Sequence, residues 1–256
     1  MISVPVTRFS PRFALRLAQT GEDLAAAQAL RHRVFVEELG TRGGELTAGG
    51  LEADRFDRHF EHLLLLDTLR DGAVIGTTRV ATEAAAARAG GFASEQEFDI
   101  SALRRTGQPL LEVGRTCLDA SHRGGEAMHR LWQGLAVLVE ERGAGLLFGL
   151  ASFHGTDPAG VGQPLSLLHH DHLAPEGRRP RSLRPVPMDR LPREEVDRRV
   201  AVLATPALVK AYLRLGARVG EGAYLDGAFG CLDVCMVLDT ARLSARARAI
   251  YGAAPA

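Results

Sequence analysis

The sequence predicts an α/β fold: a mixed, mostly antiparallel central sheet flanked by helices, with an elaborated C-terminal part. Two β-rich runs, 62–69 and 74–82, are separated only by Arg70, Asp71 and Gly72, which joins them as an antiparallel hairpin. Met128, Leu131, Leu135, Leu138 and Val139 recur at helical spacing between two further β-like runs, 110–118 and 146–153. Strand and helix signals interleave, and 256 residues are enough to bury a substantial core.

Residues 1–20 form an N-terminal segment ending in the first strand, where Phe13, Leu15 and Leu17 alternate with polar or small residues before the Thr20-Gly21 turn. Residues 21–256 read as a single domain whose C-terminal elaboration begins at about 154. Ala27, Leu30 and Val34 make the apolar stripe of a helix that stops at Gly40. The Gly-rich stretch 41–50 reads as a mobile loop. After the hairpin and an Ala-rich stretch comes the strand 110–118, in which Gly114 marks a bulge. The long helix ends at Gly143 and Gly145, and 146–153 is a buried strand. A Pro- and Arg-rich connector, 175–193, leads to a helix over 206–215, strands near 223–225 and 234–238, and a polar C-terminal helix.

The 31 basic and 31 acidic side chains cancel, so no global field recruits nucleic acid. A local run of Arg178, Arg179, Arg181, Arg184, Arg190 and Arg193 is the candidate for docking an acidic protein or touching a membrane. The apolar run 146–153 is too short to span a bilayer. Cys117, Cys231 and Cys235 lack the spacing of a disulfide framework, which points to a reducing cytoplasm, with peripheral contact at the inner face of the membrane left open. His169, His170 and His172 lack a clear fourth ligand, so no metal is expected.

Four clusters, Leu30-Arg31-x-x-x-Phe35, Asp54-x-x-Asp57, Gly76-x-x-Arg79 and Glu112-x-x-Arg115, resemble in order and spacing the acyl-homoserine-lactone synthases, which are GNAT-like enzymes. The segments 151–158, Leu165-Ser166-x-Leu168-His169-His170 and Pro206-x-x-x-Lys210-x-Tyr212 through Ala217 resemble more narrowly the ornithine N-acyltransferases of ornithine-lipid synthesis. That resemblance runs roughly from Arg31 to Leu238. It implies a GNAT-like fold and transfer of a long acyl chain, with or without a 3-hydroxyl, from acyl carrier protein to the α-amine of ornithine, giving a lyso-ornithine lipid. It implies no permanently bound cofactor, the donor being the phosphopantetheine arm of the carrier protein. One departure bears on the amino acid: Phe229 to Asp233 stands where those enzymes tend to carry Asn-Thr-Thr-Asp. A signal synthase, an acyltransferase for glutamine or glycine, and a non-catalytic GNAT-like binding module are the competing readings.

Attack on a thioester requires a neutral amine, and Glu112 is the candidate base, with Arg115 as its catalytic companion; the alternative is that Glu112 pairs with a neighbouring arginine. Backbone N–H groups freed by a bulge over 115–118, including those of Thr116 and Cys117, are candidates for the oxyanion and the donor. Arg123, Gly124 and Gly125 precede the long helix and offer a phosphate site, or else an ordinary turn. Arg31 and Arg79 are candidates for the substrate carboxylate. Asp54, Asp57 or Asp99 would meet a side-chain ammonium, with loop capping as the alternative for the first two. Phe35, His169 and His170 are expected to shape the substrate pocket, and the cysteines to be buried rather than nucleophilic.

Overall fold

The computed structural model describes residues 12–45 and 48–243. In chain order the first elements are β1 (Phe13–Leu17), α1 (Gly21–Arg31), β2 (Glu61–Asp67), β3 (Ala73–Thr82), α2 (Glu83–Ala89), β4 (Phe98–Asp99), α3 (Ser101–Arg104) and β5 (Leu110–Leu118). There follow α4 (Glu126–Glu141), β6 (Leu146–His154), α5 (Gly162–His172), β7 (Arg181–Ser182), α6 (Arg198–Ala204), α7 (Ala207–Arg214), β8 (Arg218–Val219), β9 (Tyr224–Asp226) and β10 (Cys231–Asp239). The fold class is as the sequence indicates, a mixed and mainly antiparallel sheet with flanking helices. The polar C-terminal helix lies outside the described residues.

Chain contacts divide the protein into two compact units. Among the described residues the first comprises 12–90 with Val113–Gly143, and the second Gly91–Glu112 with 144–243. The division falls inside β5. In unit 1, β2 pairs antiparallel with both β1 and β3, so the N-terminal strand is an integral part of this sheet. The hairpin turns through Asp71 (φ 52°) and Gly72 (φ +71°), both left-handed as a tight reversal requires. Helices α1 and α4 pack on the strands. At Gly134 of α4 a Cβ would lie 2.8 Å from Leu15 and 3.0 Å from Leu63, so only glycine permits this close helix–sheet approach.

Helix α1 starts in a capping box, with the Thr20 hydroxyl accepting from the Asp23 N–H and the Asp23 carboxylate accepting from Thr20 N–H. Beyond Arg31 the helix widens into a π-helical turn over His32–Glu38, where Leu39 N–H reaches back to Val34 C=O. The left-handed Gly40 follows, where the apolar stripe predicts a stop. Ala48 and Leu51 form an antiparallel bridge in the Gly-rich segment.

In unit 2, β5 opens with parallel pairing to β6, Leu110 opposite Leu146 and Glu112 opposite Phe148. β10 runs antiparallel to β6 from Cys231 opposite His154 to Asp239 opposite Leu146, and its other edge carries β9 and β8. Cys231 through Leu238 are all buried, which is why this strand reads as a continuous apolar run rather than an alternation.

Candidate active site

Unit 1 contains a buried cluster of three arginines and three carboxylates. Arg31 is 0% exposed. Its guanidinium spans Asp57 with bonds of 2.9 and 2.5 Å, donates to the Glu52 carbonyl at 2.5 Å, and lies 2.6 Å from the Glu52 carboxylate. Arg79 sits 2.6 Å from Asp54 and 2.7 Å from Asp57, with its guanidinium over the rings of Phe56 and Phe60. Arg115 donates to Glu52 at 3.3 Å and to Asp54 at 3.2 Å. The charges cancel within the cluster, as burial demands. Burial pushes the Asp57 carboxyl up, but Arg31, Arg79 and the Gln28 amide outweigh it and hold Asp57 well below the usual carboxylate range. His62, whose Nε2 donates to the Asp57 carbonyl, is pushed down to about 4 by burial.

This arrangement changes the roles expected of these residues. Arg31 has no surface on which to meet a substrate carboxylate, and Arg79 has almost none. Asp54 and Asp57 are already neutralised by arginines, so neither is the spare acid that a substrate ammonium would need. Asp54 does cap its loop, accepting from Phe56 N–H at 2.9 Å. Asp99 is exposed and accepts from Ser101 N–H. Arg115 alone of the three arginines presents a quarter of its side chain to solvent. It also carries the left-handed backbone (φ 51°) that sequence reasoning assigns to a bulge at Gly114.

Phe35 lies on the π-helical turn and packs against Leu30, Val34 and Cys117. Cys117 is core: burial pushes its thiol up to about 12, which leaves it protonated and non-nucleophilic near neutrality. The Thr116 hydroxyl is 2.7 Å from that of Thr78 on β3. Arg123 is engaged by Glu38 and by the Leu118 carbonyl. Gly124 is left-handed, and Gly125 is the N-cap of the sixteen-residue α4 without a side-chain capping bond.

In unit 2 Glu112 is 4% exposed, and its two carboxylate oxygens accept from the backbone N–H groups of Ala93 (2.9 Å) and Ser94 (2.6 Å). The donors head a 3₁₀ turn, Ala93–Gln96, that fixes the carboxylate in place. Two backbone N–H groups therefore hold it. A second acidic group lies on β10: Asp233 accepts from Ser152 Oγ at 2.5 Å and from Cys231 Sγ at 3.5 Å. Burial, with Asp226 nearby, pushes the Asp233 carboxyl up. The buried Cys235 thiol, in contact with the fields of Glu112 and Glu97, is also pushed up.

His170 Nε2 donates to the Leu191 carbonyl at 2.8 Å, and its ring meets that of His169 edge to face. Both sit at the end of α5 in unit 2. Among the described residues, the grouping whose ligand atoms converge is Asp226, Cys231 and Asp233, not the histidines. The arginine run is largely matched internally: Arg178 to Asp239, Arg179 and Arg181 to Glu176 and Glu221, Arg184 to the Tyr224 hydroxyl, and Arg193 to Asp171. Sequence reasoning passes over Glu52, Glu97, Ser152 and Asp233 as site residues. The spacing Glu52-x-Asp54-x-x-Asp57 is the signal that could have added Glu52 to the cluster.

Residues 30–133 match the acetyltransferase (GNAT) domain family. The chain is 45% identical over 244 residues to the L-ornithine N(alpha)-acyltransferase of Rhodobacter capsulatus, covering 93% of this chain and 94% of that protein. It is 40% identical over 248 residues to the enzyme of the same name from Brucella abortus, covering 93% and 88%. Among solved structures it is similar to an N-acyl amino acid synthase from uncultured soil microbes, with a TM-score of 0.56 at 15% identity over 93% of this chain and 98% of that one. It is also similar to the acyl-homoserine-lactone synthase LasI, with a TM-score of 0.52 at 14% identity over 93% and 94%. These two likenesses show the fold.

Proposed function

This chain belongs to the L-ornithine N(alpha)-acyltransferase family, and from that premise we propose that it moves an acyl group from an acyl carrier protein thioester to the α-amine of ornithine. The observation that carries this reading is identity of 36–45% to relatives of that one activity, spread over 93% of the chain. In the proposed step Glu112 takes a proton from the α-ammonium and the neutral amine attacks the thioester carbonyl. The C–N bond forms, the surplus proton on the attacking nitrogen passes to the departing sulfur as the C–S bond breaks, and Glu112 returns its proton to solvent. A fixed carboxylate suits the task, since general-base catalysis depends on reach and orientation before basicity. The thiol's ordinary pKa of about 8.5 makes it a good leaving group without further help.

Ornithine brings two cations and one anion. Asp233 supplies a buried carboxyl in unit 2, held by the Ser152 hydroxyl. We assign the side-chain ammonium to Asp233. The donor's single phosphodiester fits the backbone N–H groups of the Gly124-Gly125 turn at the head of α4, where glycine leaves the approach open.

The test is a competition in one vessel, with ornithine, lysine, glutamine and glycine offered together and either acyl carrier protein or coenzyme A thioester as donor. Mass spectrometry then identifies the amide formed. N(alpha)-acyl ornithine, made faster from the carrier-protein donor, is the expected product. Preference for glutamine or glycine over both dibasic amino acids overturns the ornithine assignment, and equal efficiency with coenzyme A overturns the donor.

A further inference from the structure

The segment from Arg198 to Gly220 carries five cationic residues, Arg198, Arg199, Lys210, Arg214 and Arg218, and no acid, in a chain whose net charge is zero. It forms α6 and α7. Helix α6 turns Ala201 fully inward, which by helical geometry sends Arg199 and Leu203, four residues apart, to the opposite face with Val200 and Val202 on its flanks. Leu203 is 71% exposed, Val200 48% and Val202 42%. These are three of the seven large apolar side chains exposed among the described residues, gathered on one seven-residue helix. The helix is held firmly: the Asp197 carboxylate caps it through the N–H groups of Arg199 and Val200, and the Lys210 ammonium of α7 donates to the Val202 carbonyl. Arg198 is tethered to Asp171, while Glu194 and Glu195 lie before the helix on the preceding turn.

We propose that the α6–α7 surface is a docking face for an anionic lipid bilayer. Aliphatic side chains on a short helix with Arg198 and Arg199, and with Lys210 at its Val202 carbonyl, are the chemistry of an interfacial contact, in which the apolar groups enter the headgroup–acyl boundary and the cations meet lipid phosphates. An acidic protein would be drawn by the same charges, yet it gives three exposed aliphatic side chains no solvent of their own. The bilayer satisfies both features. No described helix is long and apolar enough to cross a membrane, so the contact is a surface one. This face differs from the 178–193 arginine run, whose charges are largely matched by acids of unit 2.

The full chain is sedimented with phosphatidylethanolamine vesicles made with and without phosphatidylglycerol. Binding to the anionic vesicles alone, weakened by salt, is expected. Leu203→Asp should lower the affinity on the order of tenfold, as expected for moving one aliphatic side chain out of the boundary and adding a charge. Arg199→Gln should lower it about fivefold, as expected for one surface cation. Both variants should keep wild-type turnover on soluble donor and amino acid, so this inference can fail while the acyltransferase reading stands. Absence of binding at excess anionic lipid, or equal binding of wild type and Leu203→Asp, overturns it. So does a Leu203-dependent dimer in sedimentation equilibrium, or a Leu203→Asp effect confined to carrier-protein affinity.

Discussion

Replacing Glu112 by Gln separates the two tasks that its geometry combines. The carboxylate accepts two backbone N–H groups, one at each oxygen. Gln offers one acceptor oxygen and one NH₂ donor, so one N–H of the Ala93–Ser94 pair would face another donor. Losing a hydrogen bond to a charged acceptor and leaving a buried donor unmatched costs about 2–3 kcal/mol, which in a protein of this size corresponds to a melting temperature lower by roughly 5–10 °C. Loss of the base would lower the single-turnover rate by about 10²–10⁴-fold at neutral pH. Ala93→Pro is the control. It deletes the 2.9 Å bond to Glu112 Oε2 while leaving the carboxylate intact. Proline is tolerated at the first position of a helical turn, and Phe92 before it is already extended (φ −74°, ψ 153°). Ala93→Pro is expected to lower stability by about 1–2 kcal/mol and keep turnover within roughly tenfold. Calorimetry and rapid-quench acyl transfer read both quantities. A folded Glu112→Gln enzyme with near-normal rate removes Glu112 as the base, and an unchanged melting temperature contradicts its anchoring by the 93–94 amides.

Two further outcomes are expected. His62 is held below its ordinary value, at about 4, so the unfolded chain binds its proton first; stability is fully present above about pH 6.5 and falls by about 3 kcal/mol as pH drops toward 4. Chemical denaturation across that range should show the slope in wild type and its loss in His62→Gln, and an identical slope in both assigns it elsewhere. Asp233→Asn is nearly isosteric and should change stability by less than about 1 kcal/mol, yet raise the KM for ornithine about tenfold relative to glutamine; an unchanged ornithine-to-glutamine ratio removes Asp233 from the ammonium site.

Much of the fold was legible because its elements signal locally. The Arg70-Asp71-Gly72 turn, the periodic apolar face of α4 and the buried run of β6 depend on neighbours within one or two turns of chain. The site was legible by residue and much less so by role. Arg31, Asp54, Asp57, Arg79 and Arg115 stand out in sequence as charges in a regular order, but whether a charge faces substrate or another charge depends on distant residues. Arg31 and Asp57 are 26 positions apart, and Arg115 and Glu52 are 63 apart. Ser152 and Asp233 are 81 positions apart, and in sequence Asp233 appears only as the end of the 229–233 departure, not as the partner of Ser152. Helix α5 is not assigned from sequence; its first turn holds Gly162 and Pro164, and proline there lacks only an N–H that the helix leaves unused.

The backbone at Arg115 is set by the buried cluster. In a regular strand, residues 112 and 115 differ by an odd number and point to opposite faces. Glycine would resolve this at low conformational cost, and Gly114 is adjacent, yet the left-handed residue is Arg115. A non-glycine side chain in that region costs about 1–2 kcal/mol and persists only where surrounding contacts determine it. Here the contacts are the Glu52 and Asp54 carboxylates, which are themselves fixed by Arg31 and Arg79. The order of dependence is therefore inward to outward: the fully buried Arg31 fixes Glu52 and Asp57, these with Arg79 fix Asp54, and the two outer carboxylates hold the one arginine that reaches solvent. A sequence that carried the same charges without this burial would leave Arg115 free to adopt an ordinary strand geometry. The buried members of the cluster thus set the position of Arg115 without needing any surface of their own.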